Sequence, residues 1–382
     1  MDFTKVERIL VIKLRHIGDV LLTLPVFRAL QETFPHAQRA ALVNAGTEGV
    51  LSGNPLIDEL FSLDRGIKKL APAKRYRSEI DFLRRIRKKG FDMTVDLTGG
   101  DRAALISFAS GAKYRLGWSA RKGFPGKKYL YTHLSGPDAT RHMVLQNLDV
   151  VRQFGINTED LSVDFHITGE DRASAGRILE RHKVKDAGPI IHIHPTSRWL
   201  FKCWNDGRMA GIIKWLISEG ATVIVTSSAE PHEAVKARSI VSLAGPSPRL
   251  VDLCAKTSLR QLAAIAEMSD LFFGVDSAPM HIAAAVNTPV VALFGPSGAF
   301  HWGPWDNESS KGDCPGFTTA SPYPCRNGVQ AFGRHTVIQR DWSCIPCGRD
   351  GCDGSKLSKC LEDIAQDEVA GILAKKLSGI KK

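Results

Sequence analysis

The sequence predicts an α/β protein made of two doubly wound domains. Three observations carry that prediction. Short apolar runs rich in Val, Ile and Leu alternate with helical stretches from residue 8 onward, which implies parallel sheets covered by helices on both faces. The same alternation restarts at residue 189. Finally, 382 residues with 43% hydrophobic and 24% charged side chains hold enough apolar material for two cores, in the proportions of an ordinary globular protein.

In chain order, 8–14 reads as a strand, 20–34 as a helix, and 40–43 and 93–97 as further strands, with an amphipathic stretch over 78–89. Helices are expected over 140–155 and 169–182. In the second half, 189–194, 221–226, 271–275 and 289–294 read as buried strands, and 209–219, 258–268 and 278–285 as helices. Residues 298–360, rich in Gly, Pro and Cys, read as irregular, and 361–377 as a closing helix. The seam near 165–188 sets the domains at 1–175 and 186–362, with a last segment, 363–382, that could pack back on the first domain. Ligands of such sheets bind beyond the carboxyl ends of the strands, so the loops there are the expected site.

The formal net charge is +11, and its location is informative. Between Arg65 and Lys128, 18 Lys or Arg face 5 Asp or Glu, while the rest of the chain is close to neutral. Such a stretch faces nucleic acid, a phosphorylated substrate or an anionic membrane surface. Few aromatics interleave with the cations and no nucleic-acid motif occurs, so no nucleic-acid partner is expected. Arg84, Arg85, Arg87, Lys88 and Lys89 cluster at one helix end and are the candidate acceptor-side or membrane-side group. No apolar run reaches the roughly 18–20 residues of a spanning helix, and the first residues lack a signal-peptide pattern. A cytoplasmic protein is expected.

Eight cysteines are too few for a disulfide scaffold, but Cys344, Cys347, Cys352 and Cys360 crowd into 17 residues. They form a weak candidate for zinc or an iron–sulfur centre. A second C-x2-C to match Cys344 and Cys347 is missing and the chain has core enough without metal, so reduced structural or acceptor-loop cysteines are the expectation.

Three loops carry the chemistry. In 13–20 (KLRHIGDV), Gly18 allows a tight turn and Asp19 falls in the first turn of a helix, whose positive end keeps a carboxylate ionised. On the residues alone Asp19 reads as a helix cap first and as a base second. A G-x-G-x-x-G fingerprint is absent, so a nicotinamide cofactor has no support. In 194–204 (HPTSRWLFKCW), Thr196 and Ser197 offer hydroxyl donors while Arg198 and Lys202 offer charge, which suits a phosphate or diphosphate. In 274–281 (GVDSAPMH), Ser277 and a following Pro mark a helix start whose free N–H groups bind phosphate, with His281 one turn further along.

With these loops in order, the chain resembles glycosyltransferase family 9, the lipopolysaccharide core heptosyltransferases, and within it the heptosyltransferase III type. The matching pieces are IKLRHIGDVLLTLP (12–25), HPTSRWLFKCW (194–204), VDSAPMH (275–281) and LFGPS (293–297). The resemblance implies a GT-B fold, two Rossmann-like domains facing a central cleft. It implies inverting, metal-independent transfer of L-glycero-D-manno-heptose from ADP-heptose to an inner-core sugar of the lipid A-linked acceptor, with no cofactor required. An enzyme with that acceptor works in the cytoplasm, peripheral to the anionic inner face of the inner membrane. Position by position, Asp19 matches the general base, and Thr196 and Lys202 match donor-phosphate ligands, one residue further apart than in the heptosyltransferase I type. Glu230 matches the acid beside the adenosine ribose. Asp276, Ser277, Ala278 and His281 match an Asp-Thr-Gly-x-x-His segment that holds diphosphate and heptose, with Ala278 standing where the family has glycine. The alternative is a transferase of the same fold using another nucleotide sugar.

Overall fold

The computed structural model describes every residue except 1, 2, 4, 65, 70, 120–122, 137, 139, 185–187, 311–320 and 380–382. The chain forms two units, Met1–His166 and Ile167–Lys382.

The first unit holds six strands: β1 (Arg8–Lys13), β2 (Gln38–Asn44), β3 (Glu59–Leu63), β4 (Met93–Asp96), β5 (Tyr114–Trp118) and β6 (His133–Ser135). They pair in the order β3-β2-β1-β4-β5-β6, parallel throughout. β1 is buried from Ile9 to Lys13, as a strand covered on both faces must be. Leu10, Ile12, Leu42, Ile86 and Ile106 form one face's core. The helical pattern expected over 20–34 breaks into Ile17–Leu21 and Leu24–Thr33, because Pro25 has no N–H to give the Leu21 carbonyl. The amphipathic stretch is a longer helix, Pro72–Lys88, that buries only Phe82 and Ile86 and turns its cations outward.

The second unit holds β7 (Ile190–His194), β8 (Thr222–Ser227), β9 (Leu250–Cys254), β10 (Leu271–Val275), β11 (Val290–Leu293), β12 (Gln330–Phe332) and β13 (His335–Ile338). Their order is β12-β13-β11-β10-β7-β8-β9, with only β12 antiparallel. The stretch expected to be irregular therefore extends the sheet by two strands. These are three and four residues long, too short to show periodicity in the sequence.

Two boundaries differ from expectation. The helix Gly169–Arg181 belongs to the second unit, so the seam precedes it instead of falling after 175. Ion pairs hold it to the helix Leu259–Glu267, Arg260 to Asp171 at 2.6 Å and Arg172 to Glu267 at 2.7 Å. The closing helix divides into Lys359–Glu362 and Gln366–Ser378, and the second piece inserts Val369 and Leu373 into the second unit's core. That apolar burial, with Arg340 bonded to Glu368 at 2.8 Å, makes it part of the second unit. Among the described residues no helix is long and apolar enough to cross a membrane.

Candidate active site

In the second unit, β7 is flanked by β8 on one side and β10 on the other, so the chain diverges there and opens a crevice beyond the strand ends. β10 lies against β7 with Gly274 opposite His194. The approach is close, for a Cβ on Gly274 would meet the His194 carbonyl oxygen at 2.7 Å. Both strands end at one level, which delivers the loops 195–204 and 276–281 to the same place. Lys202 Nζ donates to Asp276 Oδ2 at 2.7 Å, joining the two sequence motifs directly.

Thr196 is fully buried and its hydroxyl donates to Glu233 Oε2 at 3.1 Å. Ser197 is buried and its N–H donates to Cys203 Sγ at 3.3 Å. Burial pushes the Cys203 thiol up to about 11, so it stays protonated. Ser277 occupies the N-cap position of the helix Ala278–Ala285 but makes no capping bond, and its buried Oγ has no hydrogen-bond partner among the described residues. The first N–H groups of that helix have no partner within it. Ala278 is half-buried at its first position, and His281 is buried one turn along. Thr196, Ser197, Lys202, Asp276, Ser277, Ala278 and His281 thus occupy two loops joined by an ion pair. Glu230 is exposed at the N-cap of the helix Pro231–Ala244. The acid that reaches Thr196 is Glu233, one turn further on, which the sequence reading did not single out.

The first unit repeats the layout, with β1 between β2 and β4. Asp19 sits half-buried in the helix Ile17–Leu21 that follows β1, and accepts the His16 N–H at 3.3 Å. Beneath it lies a buried network absent from the sequence reading. Lys13 Nζ donates to the Leu97 carbonyl and to Asn147 Oδ1, both at 2.9 Å. Asp96, fully buried at the end of β4, accepts the Tyr131 hydroxyl at 2.5 Å and the Thr98 N–H at 2.7 Å. Burial pushes the Asp96 carboxyl up, against the pull of those donors. A strand that ends on a charged residue, as β1 and β4 do, was the available signal.

Burial also pushes the Lys13 ammonium down from 10.5 to about 8, and the Asp19 and Asp96 charges only partly offset this. A lysine whose folded pKa is lowered binds fewer protons folded than unfolded, so stability rises with pH between the folded value and the unfolded one. Lys13 is expected to add up to about 3 kcal/mol across the window from about pH 8 to about 10.5. Denaturant titrations of wild type and Lys13→Met check this, and their stability difference should stay flat below pH 8 and change in favour of wild type above it. A difference that stays constant up to pH 10.5 would remove Lys13 as the titrating group.

Arg84, Arg85, Arg87 and Lys88 are exposed on the helix Pro72–Lys88. Lys89 differs, being half-buried and paired with Glu59, which neutralises its charge locally. Cys344 and Cys347 are exposed, Cys352 is half-buried and Cys360 is buried. Burial, then the neighbouring Cys352 and Cys347, pushes the Cys360 thiol up to about 11. Among the described residues no group of three or more His, Cys, Asp or Glu side chains is arranged to hold a metal ion.

The chain is similar to known proteins in both sequence and fold. The family model described as glycosyltransferase family 9 (heptosyltransferase) matches residues 80–315. Lipopolysaccharide heptosyltransferase 3 of Escherichia coli K12 is 30% identical over 294 residues, 76% of this chain and 83% of that protein. A family 9 glycosyl transferase from Veillonella parvula superposes with a TM-score of 0.77 at 22% identity, covering 98% of both chains. E. coli heptosyltransferase WaaC, solved with ADP-2-deoxy-2-fluoro heptose, superposes at 0.68 and 18% identity, covering 96% of this chain and 99% of its own. The fold shared with these structures is the GT-B fold.

Proposed function

Because this chain belongs to glycosyltransferase family 9, we propose that it transfers L-glycero-D-manno-heptose from ADP-heptose to an inner-core sugar of lipopolysaccharide, with inversion and without a metal. In a single displacement the acceptor hydroxyl attacks the anomeric carbon, the bond from that carbon to the diphosphate oxygen breaks, and ADP leaves from the opposite face. The attacking hydroxyl loses its proton to Asp19. The leaving diphosphate gains charge, which Lys202, the Ser277 hydroxyl and the N–H groups opening the helix Ala278–Ala285 receive. A fixed cation and helix donors fill the role a divalent metal would otherwise have. Glu233 acts through Thr196, fixing the direction of its hydroxyl.

The observation that carries the reading is the junction at β7 and β10. Lys202 is paired with Asp276 next to Ser277, whose buried hydroxyl has no hydrogen-bond partner among the described residues, an arrangement that suits a diphosphate. Thermal unfolding with ADP-heptose, ADP-glucose, UDP-sugars and GDP-sugars tests it. ADP-linked sugars are expected to stabilise the protein by about 2.7 kcal/mol at a hundredfold excess over Kd. A response to UDP- or GDP-sugars alone would overturn the donor assignment.

The acceptor in this reading is lipid-linked, so the enzyme works at the anionic cytoplasmic face of the inner membrane. The exposed cations Arg84, Arg85, Arg87 and Lys88 supply the attraction, at about 1 kcal/mol each near such a surface.

A further inference from the structure

Among the described residues of the first unit, six large apolar side chains are exposed: Tyr76, Ile80, Leu105, Phe108, Phe124 and Tyr129. All six fall between residues 76 and 129, inside the stretch that holds the cation excess. Those of the second unit are spread from Trp199 to Leu357. Single exposed apolar side chains are ordinary on any protein, but six confined to one basic stretch are not.

Their carriers are neighbours. The helix Pro72–Lys88 lies beside Asp101–Ala109, where Arg102 meets Glu79 at 3.6 Å. The helix Asp101–Ala109 in turn lies beside the turn Lys127–Leu130, where Lys127 meets Asp101 at 3.5 Å. Tyr76 and Ile80 share one helical face by their four-residue spacing, and Leu105 and Phe108 share another by their three-residue spacing. Cations lie on the exposed rings, Arg115 at 5.5 Å from the centre of Phe108 and Lys128 at 5.1 Å from that of Tyr129. Tyr129 is 74% exposed and Phe108 52%, so neither ring is buried by the chain.

We propose that this face is an interfacial surface whose apolar side chains enter the headgroup region of an anionic bilayer, with the surrounding cations bound to lipid phosphates. Charge complementarity selects the lipid. A basic rim around aromatic and aliphatic tips matches a surface that is negative outside and apolar beneath, where Tyr, Phe and the stems of Arg and Lys lie partly buried with their polar ends in water. Insertion adds a component to binding that salt does not screen. The inference rests on the membrane placement proposed above and is separable from it, and because the vesicles below contain no acceptor it is also independent of the transfer reaction.

The test is flotation of the full chain with phosphatidylcholine vesicles, with and without phosphatidylglycerol, across a salt series. Wild type is expected to bind the anionic vesicles and to keep part of that binding at about 0.5 M salt, where exposed charges are screened to a few ångströms. The Ile80→Ser, Phe108→Ser, Tyr129→Ser triple variant should bind at low salt but lose at least about tenfold in the salt-resistant part. Lipids brominated in their acyl chains should quench the Trp fluorescence of Phe108→Trp more than that of wild type, and that of Val235→Trp, on the second unit, no more than wild type. Binding that salt abolishes equally in wild type and variant, with no quenching of Phe108→Trp beyond that of wild type, overturns insertion and leaves the electrostatic reading standing. No binding at low salt overturns both. A wild-type dimer in sedimentation that the triple variant loses would assign the face to a protein partner and overturn the lipid.

Discussion

Asp19→Asn is expected to lower turnover by about a thousandfold while donor affinity and unfolding temperature stay near wild type. The two effects separate because Asp19 has two jobs. Its Oδ2 accepts the His16 N–H at the start of the helix Ile17–Leu21, a bond an asparagine oxygen also makes. The amide cannot take a proton, so a general-base contribution of about 10²–10⁴ is lost in full. Asp19→Ala removes both and should lose turnover together with the bond that closes the start of the helix, lowering the unfolding temperature as well. Single-turnover rates with ADP-heptose and a delipidated acceptor, alongside ADP titration, check the pair. An Asn variant that turns over at a tenth of the wild-type rate or better would leave Asp19 as a cap alone. Such a result would turn attention to the buried acid at Asp96.

The chemistry-bearing loops were legible in the sequence because each follows a strand that is apolar along its length, and polar residues crowded after such a strand stand out. Thr196, Lys202 and Asp276 were found this way, but that Lys202 bonds Asp276 was not. That contact needs the register of β10 on β7, a fact of pairing between segments some 80 residues apart. Glu233 was missed for a related reason. Glu230 precedes the helix Pro231–Ala244 and fits the family pattern, yet the carboxylate that meets Thr196 is fixed by the helix's rotation, which periodicity alone leaves open. The network of Lys13, Asn147, Asp96 and Tyr131 joins four separated segments; the charged ends of β1 and β4 mark Lys13 and Asp96, but nothing local marks Asn147 or Tyr131 as their partners. The helix Gly169–Arg181 was legible as a helix, while its membership in the second unit depends on ion pairs to Leu259–Glu267.

Lys202→Ala is expected to weaken ADP binding and transition-state stabilisation together, the second by about 2–4 kcal/mol. The substitution also strips Asp276 of its partner. The Asp276 side chain is 7% exposed, and a buried carboxylate left without its cation costs stability of its own. A fall in activity alone therefore does not isolate the role of Lys202 toward the donor. Two further measurements do. Adenosine carries no phosphate, so if Lys202 serves the diphosphate, the Ala variant should bind adenosine as wild type does while ADP affinity drops by an order of magnitude or more. A purely structural role would weaken both ligands alike. Lys202→Arg keeps the charge but spreads it over a planar fork, so it should recover stability by pairing with Asp276 and recover ADP affinity in part. Calorimetric titration of both ligands into the three proteins decides the matter. Equal losses for adenosine and ADP would place the diphosphate away from Lys202, and with it the cradle at β7 and β10.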